Sequence, residues 1–129
     1  MATILVVDDH SPNQRLLRFI LEQSHYLVVT ALNGVQALER LDEAEIDLVL
    51  TDLSMPKMDG LTLMHHVRTD TRYQTLPIIV LTASGCERDL TRASNSGANA
   101  CLTKPVDSQK LIALIDNLVT QHQAVRNSA

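Results

Sequence analysis

Short apolar runs without polar alternation recur along the chain, at Ile4 to Val7, Leu48 to Leu50 and Leu76 to Leu81, and longer segments of helical period separate them. A strand with one wet face alternates apolar and polar residues, so an unbroken Val/Ile/Leu run belongs to a strand covered on both faces. Strands are predicted near 3–7, 27–31, 47–51, 77–82 and 99–102. Four apolar stripes mark amphipathic helices: Leu16, Leu17, Ile20 and Leu21; Ala37, Leu38 and Leu41; Met64 and Val67; Leu111, Leu114, Ile115 and Leu118. Leu90 and Ala93 suggest a further helix at 86–95 with the thinnest stripe, between Ser84-Gly85 and Asn95-Ser96-Gly97, and the most mobile one. Pro12 suits a first helical turn, Asn33 and Asp107 suit helix caps, and Gly97 suits a helix end. Five βα units with right-handed crossovers form a doubly wound α/β fold, a five-stranded parallel sheet for which 2-1-3-4-5 is a common order.

The 129 residues suffice for one domain, taken as 1–122, followed by a polar C-terminal tail at 123–129 where the last helix frays. Hydrophobic residues make up 45% of the chain, and no apolar stretch approaches the roughly 18 residues of a membrane span. The start, Met1-Ala2-Thr3, runs directly into a strand without a basic flank or cleavage site, which predicts a cytoplasmic protein rather than an exported one. A net charge of −4, with one Phe, two Tyr and no Trp, supplies neither a basic patch nor a stacking platform and argues against direct nucleic-acid binding. Cys86 and Cys101 have no metal-ligand spacing and read as free thiols.

Chemistry gathers where the strands end. Asp8-Asp9 end the first run, Asp52 the third and Thr82 the fourth, and Lys104-Pro105 follow the fifth. In open α/β sheets, ligands bind beyond the carboxyl ends of the strands, at the switch point between strands one and three, which here carries Asp8, Asp9 and Asp52. Three carboxylates so close cannot all ionise cheaply unless a cation neutralises them. Oxygen-only ligands favour Mg²⁺, which takes one or two carboxylates and completes its octahedron with water and phosphate oxygens. Lys104 adds the positive charge that a phosphoryl group needs, and Thr82 a hydroxyl donor.

Plainer readings exist for single residues. Asp8 and Asp9 could begin a helix, where acids suit the positive dipole end, and Thr82 could satisfy backbone at a strand end. Asp59-Gly60 reads as a turn, Met55 and Met58 as loop packing, and His10, His65 and His66 as surface residues.

Together the motifs Val6-Val7-Asp8-Asp9, Asp52-x-x-Met55-Pro56-x-Met58-Asp59-Gly60, Leu81-Thr82-Ala83 and Lys104-Pro105 resemble, in order and spacing, the receiver domain of bacterial two-component response regulators. The match covers nearly the whole chain and is closest in form to the stand-alone, chemotaxis-type receivers, whose fold is flavodoxin-like. The resemblance implies that Asp52 accepts a phosphoryl group from a phosphohistidine of a sensor histidine kinase or a histidine phosphotransfer protein. It implies that Asp9 binds Mg²⁺ directly, Asp8 through water, and the Ser54 backbone carbonyl completes the protein's share of the shell. Thr82 then resembles the switch hydroxyl and Lys104 the cation that pairs with the phosphoryl group, with a cis Lys104-Pro105 peptide aiming it.

On this reading the chain is a regulatory module that catalyses only its own phosphorylation and dephosphorylation, and a downstream protein meets the face formed by the predicted 86–95 helix, the fifth strand and the C-terminal helix. A monomer is expected, with dimerisation on phosphorylation left open. Three positions depart from the usual pattern or tune it. Cys101 stands three residues before Lys104, where many receivers carry Tyr or Phe, and Ser54 and Ser84 occupy places that influence loss of the phosphoryl group to water. The other readings are a scaffold that takes no phosphate, a receiver cut from a longer regulator or hybrid kinase, and an aspartate-nucleophile phosphatase, which the lack of a D-x-D arrangement and of a cap segment disfavours.

Overall fold

A computed structural model describes residues 2–52, 60–82, 97–103 and 107–128. Five strands, β1 (Thr3–Val7), β2 (Leu27–Ala31), β3 (Leu48–Asp52), β4 (Ile78–Thr82) and β5 (Ala100–Thr103), form one parallel sheet in the order β2-β1-β3-β4-β5. Among the described residues four helices cover it: α1 (Ser11–Gln23), α2 (Gly34–Glu43), α3 (Gly60–Thr69) and α4 (Ser108–Ser128). The helix expected at 86–95, with Leu90, Ala93 and Cys86, lies outside the described residues.

Alternation along each strand divides the interior into two cores. Leu5, Val7, Val49, Ile78 and Val80 point to one face and pack with Ala37 and Leu41 of α2 and Leu63, Met64 and Val67 of α3. Ile4, Val6, Leu48, Leu50, Ile79 and Leu81 point to the other and meet Leu17 and Leu21 of α1 with Leu111, Ile115 and Val119 of α4. The central strands β1, β3 and β4 are buried almost throughout, which explains their unbroken apolar runs, while the edge strands β2 and β5 are mostly half-exposed.

Strand limits follow from local hydrogen bonding. β4 begins at Ile78 because Pro77 has no N–H to donate, although its carbonyl still accepts from Val49 N at 2.9 Å. Asn99 precedes β5 and braces that start: its N–H donates to Ile78 O at 2.8 Å and its Oδ1 accepts from Ile78 N at 2.9 Å. β3 runs to Asp52, so this carboxylate belongs to the last residue of the strand.

The helix ends are chemically explicit. Pro12 occupies the first turn of α1. Asn33 Oδ1 caps α2 by accepting from Gln36 N at 2.9 Å, and Asp107 Oδ1 accepts from Gln109 N at 2.9 Å at the start of α4. α1 closes in a Schellman arrangement, with His25 N bound to Glu22 O and Tyr26 N to Leu21 O, and this puts His25 at a left-handed φ of 70°. The polar end of the chain continues as helix to Ser128.

One apolar assignment needs correction. Leu16 does not join the buried stripe of α1; it is 59% exposed, and Phe19 is 62% exposed. At about 100° per residue, Leu17 and Leu21 share a direction toward the sheet, whereas Leu16 lies about 100° away from Leu17 and Phe19 on the far side.

Candidate functional site at the carboxyl ends of the strands

The sheet order brings the ends of β1 and β3 side by side, with Val7 opposite Thr51. One residue further along each strand stand Asp8 and Asp52, and one carboxylate oxygen from each of Asp8, Asp9 and Asp52 lies within 4.8 Å of the others. Asp8 is buried, Asp52 half-buried and Asp9 exposed, so the group opens from the sheet toward solvent. Three acidic oxygen donors without sulfur or imidazole form a hard, anionic set, which fits Mg²⁺ better than a softer metal.

The β1–α1 connection is tightly held. Asp8 N donates to Ala31 O at 3.1 Å, which extends the β1–β2 pairing by a residue, and Asp8 Oδ1 accepts from His10 N at 2.9 Å. Gln14 adds two bonds from one amide nitrogen, to Asp8 O at 2.7 Å and to Ala31 O at 2.6 Å. Asp8 thus has a structural task in ordering the turn while one of its oxygens faces the other acids. The helix-start reading of the acid pair does not hold in its simple form, since His10 is the N-cap of α1 and there is no acidic residue in the first turn.

Thr82 is the last residue of β4, buried, and paired in register with Thr103, while Asp52 stands opposite Leu81. Lys104 and Pro105 follow Thr103 directly, but they and Ser54, Met55, Met58, Asp59 and Ser84 lie outside the described residues. Cys101 is half-buried, pairs with Val80 and packs against the α2–α3 core. His10, His65 and His66 are exposed, as expected for surface residues.

Two polar residues escaped the sequence reading. Gln14 is one, and Arg68 at the end of α3 is the other. The Arg68 guanidinium donates to Gly97 O at 3.1 and 2.7 Å, Leu76 O at 2.7 Å, Tyr73 O at 3.1 Å, Gln74 O at 3.3 Å and Asn99 Oδ1 at 3.0 Å. Burial lowers its pKa, since the charged form is partly stripped of water. Gly97 makes room: its φ is +107°, and a Cβ there would stand 2.9 Å from Arg68 Cγ and Nε. Arg68 thereby fastens the residues leading into β4 and β5, the two strands that end at Thr82 and just before Lys104.

Comparison with known proteins agrees with this architecture. The family model described as the response regulator receiver domain matches residues 4–116, and the chain belongs to that family. It is 45% identical over 112 residues to an uncharacterized 14.6 kDa protein of Leptolyngbya boryana, covering 87% of this chain and 86% of that one. It is 41% identical over 125 residues to the sensor histidine kinase RcsC of Salmonella typhi, covering 97% of this chain and only 13% of the kinase. Among solved structures, the signal receiver domain of a signal transduction histidine kinase from Syntrophus aciditrophicus superposes with a TM-score of 0.88 at 30% identity, covering 94% of this chain and 92% of that one. The fold is accordingly the flavodoxin-like fold of receivers, and the family is one of regulatory domains in two-component signalling. Among the described residues no helix is long and apolar enough to cross a membrane.

Proposed function

We propose that the chain is a phosphorylation-dependent switch in which Asp52 is the phosphoacceptor. The observation that carries this reading is the convergence of the Asp8, Asp9 and Asp52 carboxylates within 4.8 Å at the carboxyl ends of β1 and β3. The donor is the phosphohistidine of a sensor histidine kinase or histidine phosphotransfer protein, and the occurrence of similar segments in histidine kinases supports that class of partner. An Asp52 oxygen forms a bond to phosphorus as the P–N bond to the donor imidazole breaks; the imidazole keeps the electron pair and takes up a proton. The product is an acyl phosphate, which water later cleaves at phosphorus to restore the carboxylate and release inorganic phosphate.

Such a transfer depends mainly on positioning and on neutralising charge over the equatorial oxygens. Asp8, Asp9, Asp52 and the Ser54 carbonyl hold Mg²⁺ in this reading, and the ion supplies the neutralising charge. Thr82 donates its hydroxyl to the phosphoryl oxygens, and Lys104 pairs with them. Because Thr82 ends β4 and Lys104 follows Thr103, the last residue of the adjacent β5, their movement toward the new charge shifts the surface built from the 86–95 segment, β5 and α4, where a downstream protein binds. Cys101 lacks an aromatic ring, so this coupling runs through backbone shifts and small side chains. The expected setting is the cytoplasm, and the protein acts by binding rather than by turning over a metabolite.

Incubation with acetyl phosphate and Mg²⁺, read by intact mass, tests the proposal. One added phosphate that is absent in Asp52→Ala supports it. No mass gain from any phosphodonor favours a scaffold, and turnover of many unrelated phosphate esters favours a phosphatase.

A further inference from the structure

We propose that Gln14 is a positioning residue for the cation site: its side-chain amide fixes the peptide joining Asp8 to Asp9 and so sets the direction of the Asp9 carboxylate. The inference rests on reading the acidic cluster as a Mg²⁺ site. The Gln14 side chain comes from the first turns of α1 and meets two carbonyls, Asp8 O at 2.7 Å and Ala31 O at 2.6 Å. Both partners are pure acceptors, so the atom facing them must be the NH₂ nitrogen, and its two protons match the two acceptors. Ala31 O also accepts from Asp8 N at 3.1 Å, while Gln14 N donates to His10 O at 3.1 Å. One residue therefore grips the three-residue connection Asp8–His10 by both main chain and side chain and ties it to the end of β2.

The Asp8 carbonyl is the oxygen of the Asp8–Asp9 peptide. Holding that oxygen fixes the peptide plane, and the plane together with the φ angle of Asp9 sets where the Asp9 Cα–Cβ bond points. Asp9 depends on this more than its neighbours do. Asp8 is buried and holds His10 N through its own carboxylate, and Asp52 ends a paired strand, whereas Asp9 is exposed and among the described residues no hydrogen bond fixes its carboxylate. Without the Gln14 amide the peptide can rotate, and the Asp9 oxygen leaves its place within 4.8 Å of the other two.

The test is Mg²⁺ titration of the full chain by calorimetry, comparing wild type with Gln14→Met, which keeps length and apolar stem but has no donor. The two are compared at a temperature where both show native far-UV circular dichroism. Removal of groups that orient metal ligands commonly costs 10–100-fold in affinity, and a group acting on one ligand of three through its backbone should cost about tenfold. A Gln14→Met Kd equal to wild type overturns the inference while leaving the acidic site intact, even if the melting temperature falls. Wild-type protein that takes no Mg²⁺ overturns both. Should Gln14→Met not fold, NMR of the wild-type Gln14 side-chain amide decides: two slowly exchanging protons that shift on Mg²⁺ addition support the role, and a freely exchanging pair indifferent to Mg²⁺ overturns it.

Discussion

Replacing Arg68 with methionine removes a guanidinium that joins the end of α3 to the residues entering β4 and β5, while retaining most of the aliphatic stem. The cost depends on which acceptors lose their last donor. Tyr73 O keeps the Leu76 N–H at 3.1 Å, Asn99 Oδ1 keeps the Ile78 N–H at 2.9 Å, and Gln74 is exposed and can take water instead. Gly97 O and Leu76 O remain, and among the described residues Arg68 is their donor. A stranded buried acceptor costs about 1–3 kcal/mol; Leu76 is buried but Gly97 only half-buried, so the two together give about 2–4 kcal/mol. Part of this is offset because the guanidinium is itself half-desolvated, the same cause that lowers its pKa. A net loss of about 2 kcal/mol follows, which for a domain of this size is a fall of about 7 °C in Tm. Thermal and urea melts followed by far-UV circular dichroism suit a chain without tryptophan. Arg68→Lys should recover less than half of the loss, since an ammonium cannot reproduce the planar fork. A melting temperature for Arg68→Met within about 2 °C of wild type would refute the reasoning, because it would mean that the carbonyls find water as readily as arginine.

Two further outcomes follow from local geometry. Tyr26 donates to the carboxylate of Asp116 on α4, and burial, that hydrogen bond and the carboxylate's charge together raise the phenol above its ordinary value of 10.0. The folded state thus favours the protonated phenol, so this stability is present below pH 10.0 and is lost as pH rises beyond it. Urea midpoints should fall between about pH 9 and 12 more steeply in wild type than in Tyr26→Phe, and parallel slopes would contradict the assignment. At the end of α1, His25 occupies a left-handed φ of 70° that suits glycine, so His25→Gly should stabilise by about 0.5–1 kcal/mol after allowing for the freer unfolded chain, read from the same melts.

Much of the architecture was legible because each strand's burial leaves a pattern of its own. β1, β3 and β4 are covered on both faces, so their apolar runs are continuous, and the observed order of the sheet is the common one for five right-handed βα units. The acids stood out because Asp8, Asp9 and Asp52 end such runs. Leu16 misled because apolarity alone does not give an angle around a helix, and Leu17 and Leu21 define the buried direction without it. Gln14 and Arg68 were illegible for a different reason. Their partners are backbone carbonyls, which every residue type carries, so a polar residue on an amphipathic helix looks the same whether it is solvated or clamps a loop. The Asp9 and Asp52 carboxylates, by contrast, share an end of the sheet through topology that the motif order already implies.

Asp52 carries the phosphoryl group in this mechanism, and trapping the acyl phosphate locates it. Protein phosphorylated by acetyl phosphate with Mg²⁺ is reduced with borohydride, which converts an aspartyl phosphate to homoserine, and peptide mass spectrometry then locates the reduced position. Homoserine is expected at position 52, and none in the Asp52→Asn variant. Reduction at another carboxylate, or at none while phosphate is still retained, would contradict it.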